Sequence, residues 1–463
     1  MAEAFSETLA YPQVKKRAVA SRSFRTKITP SNGSTFKGGN TINIDLPGNL
    51  AGQYYNPSQM YLKFNVANSA AAAVQLDRAA AAGLIARIQI QTAGAQLYDL
   101  NQWGLLATTL MDTDCSADWK ASSGSVLMGT LGDQLQGELL AAGANRTFCI
   151  PMMLTPLSMA TPARMIPAFS LSSLQYKITL SADNLTGKTA GAPVFTYTDV
   201  EMVCLMTELS PGAQSQIDSM TGGQYNILAN SYINSQATLA LNETNLTANL
   251  GVSVSSLERI LVVHRPSATA TAAGAFSLGN RTTSGLSEFQ FLINSENFPQ
   301  RPIIVDGRGA ESYAELLLAE HSLVDFRKGN CLLNNFTASA SVATAGVVPV
   351  GVGALSGNAP DVVKNDCFSI KDGAGTSAGT AAVAGVAADS NVGTFVCACE
   401  FESGLSDGKS SHIYSGISTI ASVVQYKGTY SNAHAAADVS FFSQHTIMIS
   451  LDMRGSGVYA VSV

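Results

Sequence analysis

Charge is scarce in this chain of 463 residues: Asp, Glu, Lys and Arg make up 13% of it, against 46% hydrophobic residues. Soluble domains ordinarily carry about a quarter charged residues. Either an assembly hides much of the surface, or Ser, Thr, Asn, Gln and Ala cover it. The 27 basic residues are outnumbered by 33 acidic ones, for a formal net charge of −6. A body that coats nucleic acid needs a dense Lys/Arg field to neutralise phosphates, so that class is excluded for the bulk of the protein. Long apolar runs are missing too. No stretch approaches the length of a membrane span without a polar break, and the first residues show no basic region leading into an apolar core. The sequence therefore predicts neither a transmembrane helix nor a cleaved signal.

Chemistry-bearing residues are equally thin. The five histidines, His264, His321, His412, His434 and His445, include no H-E-x-x-H and no pair at ligand spacing. His412 sits with Asp407, Ser410 and Ser411 in a Gly/Ser-rich stretch. Without a nucleophile on a strained elbow, these read as turn formers rather than a triad. Residues 306–311 (DGRGAE) lack both the Walker Lys-Ser/Thr and the alternating oxygens of a calcium loop. They read as a strand end that launches a helix, with Glu311 at its positive pole. The seven cysteines, Cys115, Cys149, Cys204, Cys331, Cys367, Cys397 and Cys399, are odd in number and scattered, which fits reduced thiols. Cys397 and Cys399 share one face of a strand as small apolar residues, because no second Cys/His pair accompanies them. Asn-x-Ser/Thr triplets at Asn145, Asn184, Asn242, Asn245, Asn280 and Asn335 are expected by chance in a chain this rich in Asn, Ser and Thr. The sequence nominates no catalytic residue, no cofactor site and no metal site.

What the chain does have is alternation. Residues 41–46 place Ile42, Ile44 and Leu46 on one face; residues 61–66 do the same with Leu62, Phe64 and Val66; residues 84–91 continue through Ile88 and Ile90. Period-two patterns of this kind predict strands with one buried face. Further strands are expected at 96–98, 147–154, 174–180 and 195–206, then at 257–264, 289–293, 302–305, 394–401, 419–426, 439–442, 446–451 and 458–463. Helices are expected at 100–111 and 310–321. The Pro/Gly-containing stretch 210–223 reads as a hinge. The order of strand, turn, short strand and helix occurs once on each side of it, as does the order of strand, loop and strand downstream, so one fold is built twice.

The expected architecture is all-β: a tandem double jelly roll, two eight-stranded antiparallel sandwiches with short helices and long loops. Its parts are a flexible basic arm over 1–27, a first jelly roll over 28–215 and a second over 216–463, sizes that suit one core each. A Gly/Ala/Ser/Thr-rich insertion at about 337–389 buries little per residue and belongs to surface loops. Tyr54, Tyr55 and Trp119 are candidates to anchor interfaces or plug a sandwich base, and Trp103 reads as core. Arg301 and Arg308 are candidates for pairs between subunits.

Residues 53–66 (QYYNPSQMYLKFNV, a strand entered through an Asn-Pro turn), 97–106 (LYDLNQWGLL), 293–303 (INSENFPQRPI) and 401–430 carry a resemblance. The chain resembles the double jelly-roll major capsid proteins of icosahedral double-stranded DNA viruses: Polinton-like viruses, virophages, large eukaryotic DNA viruses and tailless phages. The small-residue insertion departs from that pattern. The resemblance implies homotrimeric, pseudo-hexagonal capsomers in a virion shell, and the reduced thiols fit a chain synthesised in the host cytoplasm. It also implies contacts with neighbouring capsomers, penton and minor capsid proteins, and often an internal membrane. In such a shell the basic arm, Lys15, Lys16, Arg17, Arg22, Arg25 and Lys27, would face genome or anionic lipid. The competing reading is a carbohydrate-binding or adhesive β protein, and a β-scaffold glycosidase stands behind it with no carboxylate pair to nominate.

Overall fold

The structure is a computed structural model. It describes residues 21–131 except 93–94, residues 136–267 except 161–162, 172 and 189–192, then 276–305, 310–320, 323, 393–402, 416–452 except 432–433, and 458–462.

Eight strands form the two facing sheets of the first half, alongside shorter strands such as Val74–Asp77 and Gln136–Leu140: β1 (Ser21–Ile28), β2 (Thr41–Pro47), β3 (Gln53–Asn68), β4 (Ile85–Thr92), β5 (Gln96–Asn101), β6 (Asn145–Pro151), β7 (Ser173–Leu180) and β8 (Phe195–Leu209). Helix α1 (Trp103–Asp114) separates β5 from β6. The strands pair in the orders β1-β8-β3-β6 and β2-β7-β4-β5. Their alternation is the reason they form two facing sheets. Ile42, Ile44 and Leu46 of β2, Leu62, Phe64 and Val66 of β3, and Leu174, Tyr176, Ile178 and Leu180 of β7 are all buried, while most residues between them are half-exposed. Each buried aliphatic or aromatic chain contributes about 1.5–3 kcal/mol.

The second half repeats the plan: β9 (Gln224–Leu239), β10 (Asn245–Leu250), β11 (Leu257–Pro266), β12 (Leu286–Ile293), β13 (Glu296–Ile304), β14 (Cys397–Glu400), β15 (Val424–Tyr430) and β16 (Ala437–Asp452), with a terminal β17 (Val458–Ser462) added beside β16. The sheet orders are β9-β16-β11-β14 and β10-β15-β12-β13, so each strand of the first half corresponds to the strand eight places later. Its core is an aromatic stack: Phe289, Phe291, Phe401, Tyr426 and Phe441 meet with centroid separations of 5.0–6.4 Å. The expected tandem of eight-stranded antiparallel sandwiches is the observed fold; among the described residues each sheet draws its strands from one half, and a single isolated bridge joins Ala160 to Ala229 across them.

Several local expectations are corrected. The stretch read as a hinge is a helix, α2 (Pro211–Thr221): Ser210 accepts the Ala213 N–H, Pro211 occupies the first turn, and Gly222 closes the end at φ +64°. Arg22, Arg25 and Lys27, read as a flexible arm, lie in β1, whose ladder runs from Ser21 opposite Leu209 to Ile28 opposite Met202. Arg22 and Lys27 reach Glu208 and Glu201 at 2.8 and 3.1 Å, so these residues are not a free cationic tail. Lys15, Lys16, Arg17 and the insertion at 337–389 lie outside the described residues.

Asn56 and Pro57 do not form a turn. They sit inside the sixteen-residue β3, where pairing jumps from Tyr61–Val203 to Asn56–Leu205. Proline has no N–H for the ladder, and a bulge is where a strand tolerates it. The strand expected at 419–426 runs instead over Val424–Tyr430, because Thr419 exchanges hydrogen bonds with Val254 and makes a turn. The two strands expected at 439–442 and 446–451 are one, β16, passing through buried Ser443, Gln444 and His445. Their polarity resembles a loop only until their partners are seen. Gln444 accepts from the Tyr232 hydroxyl at 2.6 Å and the Arg259 Nε at 2.7 Å, and donates to Glu258 at 2.6 Å.

Candidate functional site at the seam between the sandwiches

The two sandwiches meet along a seam of specific contacts. β5 of the first faces β9 of the second. Gln102, which turns the chain from β5 into α1 with φ +55°, accepts a hydrogen bond from Ser440 of β16 at 2.7 Å. Helix α1, which starts at that turn, is mostly apolar. From Trp103 to Thr113 every residue is buried, and the helix hides its own polar groups: Thr108 donates to the Gly104 carbonyl at 2.6 Å and Thr109 to Leu105 at 2.8 Å.

Asp112 breaks that apolar pattern, and the break is answered from three directions. Arg78 Nε lies 2.5 Å from its carboxylate and Lys120 Nζ 3.7 Å, both from the first sandwich; Arg281 arrives from the second and pairs with the other oxygen. All four side chains are 0–4% exposed. Three cations on one carboxylate leave positive charge in excess, and Asp77 supplies a second anion that acts on Arg281. The Asp77 carboxylate accepts N–H groups from Arg78 at 2.6 Å and, across the seam, from Leu278 at 2.7 Å and Gly279 at 2.9 Å. Burial pushes its pKa up to about 6 against the pull of these donors and of Arg281. Ser277 donates to the Leu185 carbonyl at 2.8 Å alongside. A buried network of this kind confers less net stability than specificity of fit, because desolvation offsets much of the Coulomb gain. It sets how one sandwich sits on the other.

α2 closes the seam at one end. Tyr54 donates to Gln214 at 2.7 Å, and Gln214 donates to Asp218 at 2.6 Å and reaches the Tyr225 hydroxyl at 3.2 Å. Phe169 packs edge-on between Tyr54 and Tyr225, with centroids 5.4 and 5.8 Å away. Two small spaces of about 200 and 110 Å³ open along the seam, the larger lined by Tyr98, Asp99, Tyr232, Ile233, His445 and Ile447 among others. Polar linings of this size suit water.

The residues singled out from sequence fall mainly into the packing. Trp103 and Tyr55 are fully buried, with the Tyr55 hydroxyl donating to the Pro47 carbonyl at 2.6 Å; Tyr54 is buried, and Trp119 is half-buried. Arg301 is exposed on β13. Glu311 stands in the first turn of α3 (Ala310–Ala319) and accepts the Ile304 N–H at 3.1 Å. His264 is buried against Tyr430, and burial followed by the nearby His434 pulls its pKa down to about 3. His445 is pulled down to about 4 by burial. Cys397 and Cys399 are buried thiols on β14, as the period-two spacing implied. Among the described residues no group of three or more His, Cys, Asp or Glu side chains is placed to hold a metal ion. Asn145, Asn184, Asn242 and Asn245 are exposed and Asn280 is buried. His321, His412 with Asp407, Ser410 and Ser411, Asp306, Arg308, Cys331, Cys367 and Asn335 lie outside the described residues.

Asp77, Arg78, Asp112, Lys120 and Arg281 were missed by the sequence reading. Their signal was present: an Asp-Arg pair ahead of four alanines, and an Asp inside the apolar stretch of a helix. A charge marooned in an apolar run implies a partner, but not which one.

No protein-family model matches this chain, and no curated protein matches it by sequence. Solved structures do match in fold. The PBCV-1 VP54 crystal structure, fitted into a reconstruction of the virophage Sputnik, superimposes with a TM-score of 0.58 at 10% identity, covering 98% of this chain and 99% of that one. A chain of the PBCV-1 virus capsid gives 0.55 at 11% identity, covering 97% and 98%. The Faustovirus major capsid protein gives 0.55 at 8% identity, covering 95% and 92%. The tandem double jelly roll is shared with these proteins along nearly the whole length of both chains.

Proposed function

We propose that this chain is the major capsid protein of an icosahedral double-stranded DNA virus, forming homotrimeric, pseudo-hexagonal capsomers that tile the virion shell. The observation that carries the reading is the duplication itself: one eight-stranded block, built twice with the same strand order and joined by a buried charged seam. A sandwich is a rigid block whose height is set by its strands. Two such blocks in one chain, repeated about a threefold axis, make six blocks with a nearly hexagonal outline, and closed symmetry satisfies every copy's flanks at once. A content of 13% charged residues is what such a flank-buried subunit needs. The fold shared with capsid proteins over more than nine-tenths of both chains supports the same reading. Sandwiches also host lectins, so the test must separate assembly from ligand binding. Light-scattering mass and negative-stain images of the purified protein are expected to show trimers with a six-cornered outline. A monomer at all accessible concentrations that binds immobilised glycans would overturn the proposal.

A further inference from the structure

Histidine is confined to one half of the molecule. All five lie beyond α2, so the second sandwich carries every imidazole and the first carries none. His264 of β11 is fully buried. Its Nε2 lies 2.9 Å from the Tyr430 hydroxyl, which in turn lies 3.2 Å from the Tyr426 hydroxyl, and its Nδ1 has no hydrogen-bond partner among the described residues. An imidazolium has two N–H groups to place, and Tyr430 offers one acceptor, so protonation leaves a charged N–H buried without a partner. The titratable groups around the cluster are Tyr430 and Tyr426 of β15, Cys397 of β14 and His434, with Glu243 acting on Tyr430. Arg265, next along β11, is engaged with Asp438 of β16 and with Asp77 across the seam, and Arg281 pairs with Asp112. Burial opposes protonation of His264, and the nearby His434 adds to that opposition.

The cluster gathers the turns at one end of the sandwich. The His264 carbonyl accepts the Thr282 N–H at 3.1 Å, the Tyr430 N–H goes to the Thr244 carbonyl at 2.8 Å, and the Ser431 N–H goes to the Gly285 carbonyl at 2.8 Å. His434 packs on the Tyr430 ring with centroids 5.8 Å apart, the same separation as His264 from Tyr430, and its Nε2 lies 2.7 Å from the Glu243 carbonyl oxygen. Gly285 presses directly on this group: at φ +75°, an added Cβ would lie 2.5 Å from the Ser431 Oγ and 3.2 Å from the His434 Cβ.

We propose that His264, Tyr430 and His434 form an acid-released fastener: protonation of His264 unseats Tyr430 and frees the turns at 240–244 and 282–285, while the first sandwich keeps its fold. The device belongs to the second sandwich alone and stands whether or not the chains assemble. The ring takes its charge readily only in the opened form, so the fastener is complete above pH 6.5 and loosens as pH falls. Asp77 and Glu258, which burial shifts the other way, hold their parts of the fold more tightly in acid and oppose this opening rather than mimic it.

Hydrogen exchange read by mass spectrometry on the full chain at pH 8 and pH 5, corrected for the intrinsic exchange rate, tests this. An open form whose ring titrates at 6.5 gains about thirty-fold in population at pH 5, so peptides covering 240–244 and 282–285 should lose protection by about that factor. Peptides of β2, β3 and β7 should lose none. In His264→Gln, which keeps a hydrogen-bonding group beside Tyr430, and in His264→Phe, the loss at pH 5 is expected to vanish; circular dichroism at pH 8 shows that the variants are folded. Wild-type turns as protected at pH 5 as at pH 8, an equal loss in the first sandwich, or a folded variant that opens in acid as wild type does would each overturn the proposal.

Discussion

Replacing Asp112 by Asn isolates the energetic role of the seam. The substitution keeps shape and removes the charge facing Arg78, Lys120 and Arg281, all at most 4% exposed. Removing one partner of a buried ionic cluster leaves uncompensated charge and costs about 3–5 kcal/mol. In a cooperative unit the size of one sandwich, about 2–4 °C of melting temperature is lost per kcal/mol, so a fall of roughly 6–20 °C is expected. Because Arg281 comes from the second sandwich, scanning calorimetry is also expected to show the two halves melting separately in the variant. The control is Asp99→Asn, which breaks the Arg87–Asp99 pair, 36% and 24% exposed, where solvent screening limits the loss to about 1 kcal/mol or less. An Asp112→Asn protein that melts within a degree or two of the Asp99→Asn control would refute the argument, by showing that water reaches the cluster and replaces the carboxylate.

The remaining predictions concern pH and backbone packing. His264 is neutral in the fold with its pKa at about 3 against 6.5 unfolded, so it contributes stability above pH 6.5 that is lost as pH falls toward 3. At pH 5, one and a half units below the unfolded value, that loss is about 2 kcal/mol at ~1.36 kcal/mol per unit. The stability gap between wild type and His264→Phe in urea titrations should therefore change by about this amount between pH 8 and pH 5; a constant gap would show that the ring titrates normally. Asp77 works in the opposite direction: its pKa is raised to about 6 from 3.8, so protonation below pH 6 favours the fold, and Asp77→Asn should remove that gain from the pH profile. Gly104→Ala should cost about 1–3 kcal/mol, because the added Cβ would lie 2.7 Å from the Ile85 carbonyl oxygen. Gly212→Ala meets nothing within 4 Å in the first turn of α2 and should stabilise by about 0.4–1 kcal/mol in the same thermal melt.

Local alternation was enough to find many of the strands that have one wet face, though not β10, whose Leu246, Ala248 and Leu250 alternate with exposed residues. Ile42, Ile44 and Leu46, or Leu62, Phe64 and Val66, announce a buried face because side chains on a pleated strand point to opposite sides, whatever lies beyond. The duplication was legible for the same reason, since it is an order of local patterns. The capping of α2 by Ser210 and Gly222 is legible in principle, but Pro and Gly mark helix ends as well as loops, so the sequence alone favours a hinge there.

The sequence by itself determined much of the strand content, the doubling of one fold and the shortage of charge, since each depends on residues close together along the chain or on bulk composition. Only the tertiary structure decided that β16 runs unbroken through Ser443, Gln444 and His445, that the basic residues of β1 belong to a sheet, and that Asp112 draws cations from 34 and 169 residues away. Whether a polar group is tolerated in an apolar place depends on what stands within hydrogen-bonding distance of it, and those neighbours are brought there by folding, not by sequence adjacency.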